Sequence, residues 1–150
     1  MELKDFLQGI DLFQGLEEQE LAQVAAICTE KRFAAQEVIA REGEPGDALF
    51  IVTEGFVEVL LNRDPNQPER EKRVVVNLGS GQIIGEMSLL DQGPRSATVR
   101  ALSDPTVLQM IQRQDIERLC HENYHIGYVV MRNLAVDLSF KLRHRNLSQR

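Results

Sequence analysis

The stretch IGEMSLLDQGPRSATVRA, residues 84–101, places a tight turn, a loop and a strand in eighteen consecutive positions. Gly85 lets the backbone turn sharply, and the next five residues are long enough for one helical turn. Gly93 and Pro94 then predict a second turn, after which Ala97, Val99 and Ala101 alternate with polar residues as in a half-buried strand. The stretch predicts a β-fold that carries a short helical turn at one point.

Strand-like patterns continue on both sides of this stretch. From about Arg32 the apolar period is 2, in short runs separated by Gly, Pro, Asp and Asn: EVIA (37–40), ALFIVTEGFVEVLL (48–61), RVVVNLG (73–79), QIIG (82–85), SATVRAL (96–102) and TVLQMI (106–111). Several short strands at close spacing predict an antiparallel β-roll, a double-stranded jelly roll. The charged, proline-containing segment 62–71 predicts a solvated hairpin loop.

Helical patterns flank the β-segment. The first thirty residues repeat at helical spacing through Leu21, Val24, Ala25 and Cys28, and Gly15 is predicted to cap a helix with an acidic first turn. A short helix is predicted from Asp115 to about Asn123, with Ile116, Leu119 and Cys120 facing inward. We therefore predict one α+β domain over 1–150, with a helical lead-in over 1–31, a β-roll over 32–111 and C-terminal helices over 113–150.

A long last helix is predicted from near Tyr124 to the C-terminus. At 100° per residue its apolar positions form two stripes on roughly opposite sides: Val130, Met131, Leu134, Leu138 and Leu142 on one, and Val129, Val136, Phe140 and Leu147 on the other. Because a surface helix needs one stripe to cover its own domain, the second stripe predicts a partner helix, a ligand or a missing segment.

The bulk composition excludes several classes of protein. A formal net charge of -6 argues against a general nucleic-acid surface, since phosphate backbones are bound by an excess of Lys and Arg. No apolar run approaches the length of about 18 residues that a membrane span requires, and no signal pattern opens the chain. Cys28 and Cys120 are interpreted as small buried hydrophobes in a reducing compartment, so we expect a cytoplasmic protein without a disulfide.

The chemistry of residues 84–101 fits a sugar phosphate. The start of a helical turn presents backbone N–H groups to an anion, and the guanidinium of Arg95 binds phosphate in a bidentate manner. The Glu86 carboxylate accepts hydrogen bonds and suits ribose hydroxyls. The alternative is that Glu86 and Arg95 form only a salt bridge across a tight loop, and spacing alone does not separate the two interpretations.

Residues 84–101 also resemble the phosphate-binding cassette of the cyclic nucleotide-binding domain family, as found in cAMP receptor proteins and protein kinase A regulatory subunits. GEM and PRSATVRA match that cassette, and DLFQGL (11–16), REGEPGDALFIVTEGFVEV (41–59) and LGSGQIIGE (78–86) are similar to other parts of the domain. The resemblance covers essentially the whole chain. One departure is Ile84, where the family often has an aromatic residue.

The resemblance implies a role for each matching position. Arg95 is expected to bind the cyclic phosphate and Glu86 the ribose 2′-hydroxyl. The backbones of Gly85, Met87, Ser88 and Ala97 and the Ser96 hydroxyl are expected to complete the contacts. Because the family's cAMP binders carry Ala or Ser at the position of Ser96 whereas Thr favours cGMP, the expected ligand is cAMP, with cGMP possible.

The resemblance also implies a role for the last helix, which in this family closes over the base and in many members pairs with its twin. A homodimer through this helix is therefore expected, the alternative being that the second stripe packs within the domain. Base contacts are expected near residues 142–146. Tyr124 and Tyr128 are interpreted as helix-packing aromatics, although either could stack on a base.

The basic end of the last helix suits the helix dipole and is not interpreted as a DNA-binding arm. Regulators of this family continue into a helix-turn-helix, so the chain is interpreted either as a stand-alone sensor or as a fragment of a larger regulator.

Two alternative functions were weighed. Metal-dependent cupins share small β-rolls but need His or Glu ligands on strands, whereas His121, His125 and His144 all fall in helical patterns. No nucleophile–base motif or P-loop is present, so no catalytic residue, metal or cofactor is predicted. A degenerate domain that serves only protein contacts is the second alternative, against which the intact Glu86 and Arg95 argue.

Overall fold

The computed structural model describes residues 1–62 and 72–148, so the loop prediction for 62–71 falls almost wholly outside the described residues. The α-helices are α1 (Leu3–Gln8), α2 (Glu18–Ala26), α3 (Arg113–Glu122) and α4 (Tyr124–Ser148). The strands are β1 (Cys28–Phe33), β2 (Val38–Ala40), β3 (Ala48–Glu54), β4 (Val57–Asn62), β5 (Lys72–Leu78), β6 (Ile83–Ile84), β7 (Thr98–Ala101) and β8 (Thr106–Gln112), and 3-10 helices cover Asp11–Phe13 and Glu86–Leu89. The α+β prediction, with antiparallel strands between terminal helices, is confirmed.

The chain forms two compact units. The β-unit contains Cys28–Arg113, and the helical unit combines Met1–Ile27 with Gln114–Arg150. The β-unit consists of two antiparallel four-stranded sheets, with strand orders β1-β8-β3-β6 and β2-β7-β4-β5. The predicted runs at 37–40, 48–61, 73–79, 82–85, 96–102 and 106–111 all contain strands.

Apolar side chains from both sheets form the core of the β-unit. Strand β3 contributes Ala48, Phe50 and Val52, which lie on one face because side chains alternate along a strand. The other members of this core cluster are Ala40, Val57, Ile84, Val99 and Leu108. The apolar positions of the alternating runs therefore form one core between the strands of both sheets.

The first and last strands of the β-unit pair with each other. Strand β1 runs antiparallel to β8, with Cys28 opposite Ile111 and Phe33 opposite Thr106. The prediction that Cys28 is helical is therefore wrong, and the strands begin at Cys28 instead of Arg32. Its helical spacing from Leu21 is local, whereas pairing with a strand about eighty residues later decides its conformation.

The two cysteines behave as buried thiols. Neither forms a disulfide among the described residues. Burial raises the pKa of Cys28 to about 12. Burial and the nearby Glu117 carboxylate raise the pKa of Cys120. Both thiols are therefore protonated at neutral pH, which agrees with their interpretation as small hydrophobes.

In the helical unit, α2 begins with a capping box. Glu17 is the N-cap residue, and its backbone N–H donates to the Glu20 carboxylate at 3.0 Å. The prediction that Gly15 caps this helix is therefore wrong by two residues, because a carboxylate partner three positions away favours Glu17. The acidic first turn is confirmed, with Glu18 and Glu20 in it.

Helix α4 is tied to the N-terminal segment by two side chains. The Asn133 amide donates to the backbone oxygens of Leu12 and Gln14, at 2.9 Å each. The His125 Nδ1 lies 2.8 and 2.9 Å from the two oxygens of Glu20. These contacts fix the first half of α4 within the helical unit.

Burial on α4 does not follow the two predicted stripes. Val129, Val130 and Leu134 are buried although they belong to different stripes, whereas Val136, Phe140 and Leu142 are exposed. Leu147 has no described side chain. The prediction of two opposite stripes is wrong in this respect, because the buried positions come from both stripes and no described apolar side chain after Leu134 is fully buried. None of the helices in the described ranges has the length and apolar character to cross a bilayer.

Candidate functional site

Gly85 forms the turn between β6 and the 3-10 helix Glu86–Leu89. Its φ is +79°, a left-handed conformation that side-chain-bearing residues rarely adopt. The Ser88 N–H donates to the Gly85 carbonyl at 3.0 Å. The predicted helical turn is therefore present as a 3-10 helix, and the Ser88 amide, predicted to face the ligand, already donates within it.

Backbone hydrogen bonds to a second loop place Arg95. The Arg95 N–H donates to the Glu44 carbonyl at 2.8 Å, and the Arg95 carbonyl accepts from Gly43 N–H at 2.9 Å. Next to this pair, Gly46 N–H donates to the Gly93 carbonyl at 3.1 Å. Backbone hydrogen bonds thus pair two loops that lie about fifty residues apart in sequence.

The Arg95 side chain extends toward β3. Its Nη2 donates to the Ala48 carbonyl at 3.0 Å, and its Cζ lies over the Phe50 ring, 5.7 Å from the centroid. A cation at this distance over an aromatic face is attracted by the ring quadrupole. The Ala48 carbonyl and the Phe50 ring hold the guanidinium, so Arg95 has structural partners besides any carboxylate.

The guanidinium lies directly beside Gly85. A Cβ atom built on Gly85 would stand 2.7 Å from Arg95 Nη1 and 3.2 Å from the Ala48 oxygen. Any side chain at this position would displace the guanidinium. The structure thus brings together Gly85 and Arg95, two of the residues singled out from the sequence.

Ser88 lies buried next to the same group. Its side chain is 4% exposed, and its Oγ has no hydrogen-bond partner among the described residues. A Cβ on Gly46 would stand 3.8 Å from both Ser88 Cβ and Arg95 Cγ. Ser88, Arg95 and the loop at Gly46 are therefore closely packed.

The other residues predicted for the site are neighbours of Gly85 and Arg95 in the sequence. Glu86 is half-buried at the start of the 3-10 helix, and Met87 beside it is exposed. Ser96 is exposed and Ala97 half-buried as the chain enters β7. Thr98, the first residue of β7, is buried, and its Oγ1 accepts from Glu42 N–H at 3.0 Å.

Sequence reasoning missed the parts of the site that β3 and the loop before it supply. Gly46, Ala48 and Phe50 contact or border Arg95, yet none was predicted as a site residue. The glycine pair of GEPGD (43–47) directly before a strand was the available signal, since close backbone approach favours glycine.

The residues considered for contact with the base all lie on α4, in the helical unit. Leu142, near the expected base contacts, is exposed, and the side chains beyond His144 are outside the described set. Tyr124 and Tyr128 are 82% and 66% exposed, so their interpretation as helix-packing aromatics is wrong within this chain. In the described part of the chain, no three His, Cys, Asp or Glu side chains form a group that could hold a metal ion.

Comparison with known proteins places the chain among relatives of similar sequence. It is 30% identical over 115 residues to cGMP-dependent protein kinase, isozyme 1, of Drosophila melanogaster, covering 77% of this chain and 15% of the kinase. It is 31% identical over 141 residues to the cyclic AMP receptor protein of Thermus thermophilus, covering 94% of this chain and 61% of the receptor. The chain thus spans less than two thirds of the length of either relative.

Structural comparison gives the same result. The N-terminal domain of a transcriptional regulator from Streptomyces coelicolor has a TM-score of 0.80 and 29% identity to this chain, with 91% of this chain and 94% of that domain covered. The family model of the cyclic nucleotide-binding domain matches residues 30–123, which include most of β1, the cassette around Arg95 and α3. The chain therefore belongs to the cyclic nucleotide-binding domain family.

Proposed function

We propose that the chain is a cyclic nucleotide sensor that binds cAMP at the turn formed by Gly85 and Arg95. The observation that carries the proposal is the position of the Arg95 guanidinium, held beside the glycine turn by Ala48 and Phe50. One N–H group of the guanidinium bonds Ala48, and the fork retains further donors for the two exocyclic oxygens of a cyclic phosphate.

In this proposal the other cassette residues bind the sugar and complete the phosphate contacts. Glu86 accepts from the ribose 2′-hydroxyl, and the backbone of Gly85, Met87 and Ala97 donates or accepts around the ligand. The Ser88 amide contributes only if its bond to Gly85 is exchanged for a ligand contact. The proposed function is binding, and it requires no covalent chemistry from these residues.

Calorimetric titration of cAMP and cGMP into the wild type and Arg95→Ala tests the site. Leaving a bound phosphate without its arginine weakens affinity by about thirtyfold to several thousandfold. Arg32→Ala is the matched control, because it removes the same charge from β1 at an exposed side chain. Wild type that binds neither nucleotide at millimolar concentration, or Arg95→Ala that binds like wild type, would reject the proposal.

The preference for cAMP rests on Ser96 and on one relative. Ser96 is exposed, so its hydroxyl is accessible for a phosphate oxygen. The Thermus relative is named a cyclic AMP receptor protein, while the Drosophila relative is a cGMP-dependent kinase. The same titration decides the choice, since a tighter dissociation constant for cGMP than for cAMP reverses it.

We also propose that α4 carries the response and joins two copies of the chain. Tyr124, Tyr128, Met131, Ala135, Leu138 and Leu142 follow each other at alternating spacings of four and three residues, as in a coiled-coil seam. All are exposed except Leu138, which is half-buried. An apolar seam of this spacing fits a second copy of itself.

A degenerate domain that serves only protein contacts remains the second candidate, and the exposed seam is the observation in its favour. It differs from the sensor in one measurable respect: the chain would associate normally and show no nucleotide binding in the titration.

A further inference from the structure

The Arg95 guanidinium is held by two residues that lie two positions apart on β3. Ala48 accepts a hydrogen bond through its backbone oxygen at 3.0 Å, and Phe50 presents its ring face at 5.7 Å from Arg95 Cζ. Ala48 makes its contact through the backbone and Phe50 through its side chain, so β3 holds the guanidinium in two different ways. The carbonyl binds one nitrogen, and the ring face attracts the cation as a whole.

Gly85 borders the same guanidinium, next to the Ala48 oxygen. The missing Cβ of Gly85 leaves the space that Arg95 Nη1 occupies, at 2.7 Å from where that atom would stand. The guanidinium is thus confined between the glycine turn and β3. An arginine side chain has several rotatable bonds, and fixing it before a ligand binds lowers the entropy lost on binding.

Phe50 serves two purposes that can be separated experimentally. It is 7% exposed and belongs to the core cluster of the β-unit, so it contributes apolar packing. It is also the aromatic partner of Arg95. Leucine or methionine at this position keeps an apolar side chain but removes the ring face, whereas tyrosine keeps the ring.

We propose that Phe50 is a positioning residue that orients Arg95 for an incoming phosphate through its aromatic face. The effect on nucleotide affinity rests on the proposed function, while the effect on Arg95 itself does not.

The ligand-independent experiment follows the Arg95 side-chain Nε–H signal by NMR, assigned by its loss in Arg95→Lys. In wild type and Phe50→Tyr the ring should shift this proton away from the signals of exposed arginines. In Phe50→Leu and Phe50→Met the signal should move toward theirs. An Arg95 signal that is unchanged in a folded Phe50→Leu or Phe50→Met variant overturns the inference, whether or not the chain binds nucleotide.

The affinity experiment titrates cAMP into the same variants. Phe50→Leu should weaken binding by about tenfold, equivalent to about 1.4 kcal/mol, and Phe50→Tyr should stay within roughly threefold of wild type. Val52→Ala is the control, because Val52 lies on the same strand face and in the same core cluster but is not a partner of Arg95. It should lose stability and keep its affinity.

The two possible failures are distinguishable. If wild type binds cAMP and Arg95→Ala does not, but Phe50→Leu binds like wild type, the proposed function stands and the positioning role is wrong. If Val52→Ala loses as much affinity as Phe50→Leu, the effect of Phe50 is core packing, which also overturns the inference. If wild type binds no nucleotide, the proposed function fails and the NMR signal of Arg95 decides the role of Phe50.

Discussion

Gly55, at the turn between β3 and β4, shows how much a single residue can determine. Its φ is +86°, and a Cβ atom there would lie 2.3 Å from Ser103 Oγ. That hydroxyl accepts from Phe56 N–H at 3.0 Å and lies 2.9 Å from Thr106 Oγ1. One glycine thus allows a hydroxyl cluster to join the β3–β4 turn to the segment before β8.

At this scale we expect Gly55→Ala to lower the free energy of unfolding by about 3 kcal/mol, from backbone strain together with the displaced Ser103 hydroxyl. Urea unfolding measures the loss. Gly9→Ala is the control, because Gly9 has a helical φ of -83° and an ordinary 3.6 Å distance to its nearest neighbour. Equal midpoints for Gly55→Ala and wild type would contradict the assignment.

Single residues also mark the limit of prediction from sequence. Gly85 and Arg95 were predicted because they lie within ten positions of each other and share a recognisable chemistry. Phe50 was missed because its contact with Arg95 crosses forty-five positions, and its apolar pattern is the same as that of any core residue. Local chemistry is visible in sequence, whereas a partner supplied by another strand is not.

Helices and strands were predicted well where the apolar residues follow one clear period. They were predicted less well where pairing with a distant strand determines the local structure. β3, β4 and β8 follow their alternating patterns, and α4 begins at Tyr124 as predicted. The end of α2 was misplaced because the helical spacing continues through Cys28, where pairing with β8 produces a strand. The exposure of Phe140 could not be read from periodicity, because it depends on where packing within the helical unit ends along α4.

The contact between α2 and α4 makes stability depend on pH. Burial alone would raise the pKa of Glu20, but the Glu17 amide, the His125 ring and the Asn123 side chain outweigh burial and hold that pKa below its usual value. Since an ionised carboxylate only accepts, His125 Nδ1 carries the proton of this bond. A carboxyl group whose pKa is lower in the folded state stabilises the folded protein at pH values above the group's unfolded pKa. This stabilisation is lost as the pH falls through the group's pKa in the folded state.

We therefore expect Glu20→Gln to be less stable than wild type by about 2 kcal/mol near neutral pH. The difference should narrow below about pH 4, where the wild-type carboxylate becomes protonated. Urea unfolding at a series of pH values measures it, with the exposed Glu122→Gln as control. A difference that is independent of pH would show that the ionised form of Glu20 is not what stabilises the contact.

At the scale of the whole molecule, the proposed assembly depends on the exposed seam of α4. Met131 lies on the seam, whereas Val136 is exposed about 120° away from its centre. A charge in the centre of a coiled-coil seam opposes association, and a charge outside it does not.

We expect wild type to sediment as a dimer, Met131→Glu as a monomer and Val136→Glu as a dimer, each measured with and without cAMP. Circular dichroism confirms that the variants keep their helices. If wild type is a monomer with and without cAMP, the proposal that the seam joins two copies of the chain is wrong. A dimer of Met131→Glu would place the interface on another surface.

The division of the helical unit between the two ends of the chain fixes an order of events during synthesis. Leu12, Gln14 and Glu20 leave the ribosome early, but their partners His125 and Asn133 follow only after the whole β-unit has been translated. At about 5–20 residues per second, this delay is on the order of 5–20 s. Throughout that interval the nascent α2 lacks its α4 contacts, while every strand of the β-unit emerges before α4 does. Helix α4 thus completes the unit that α1 and α2 begin.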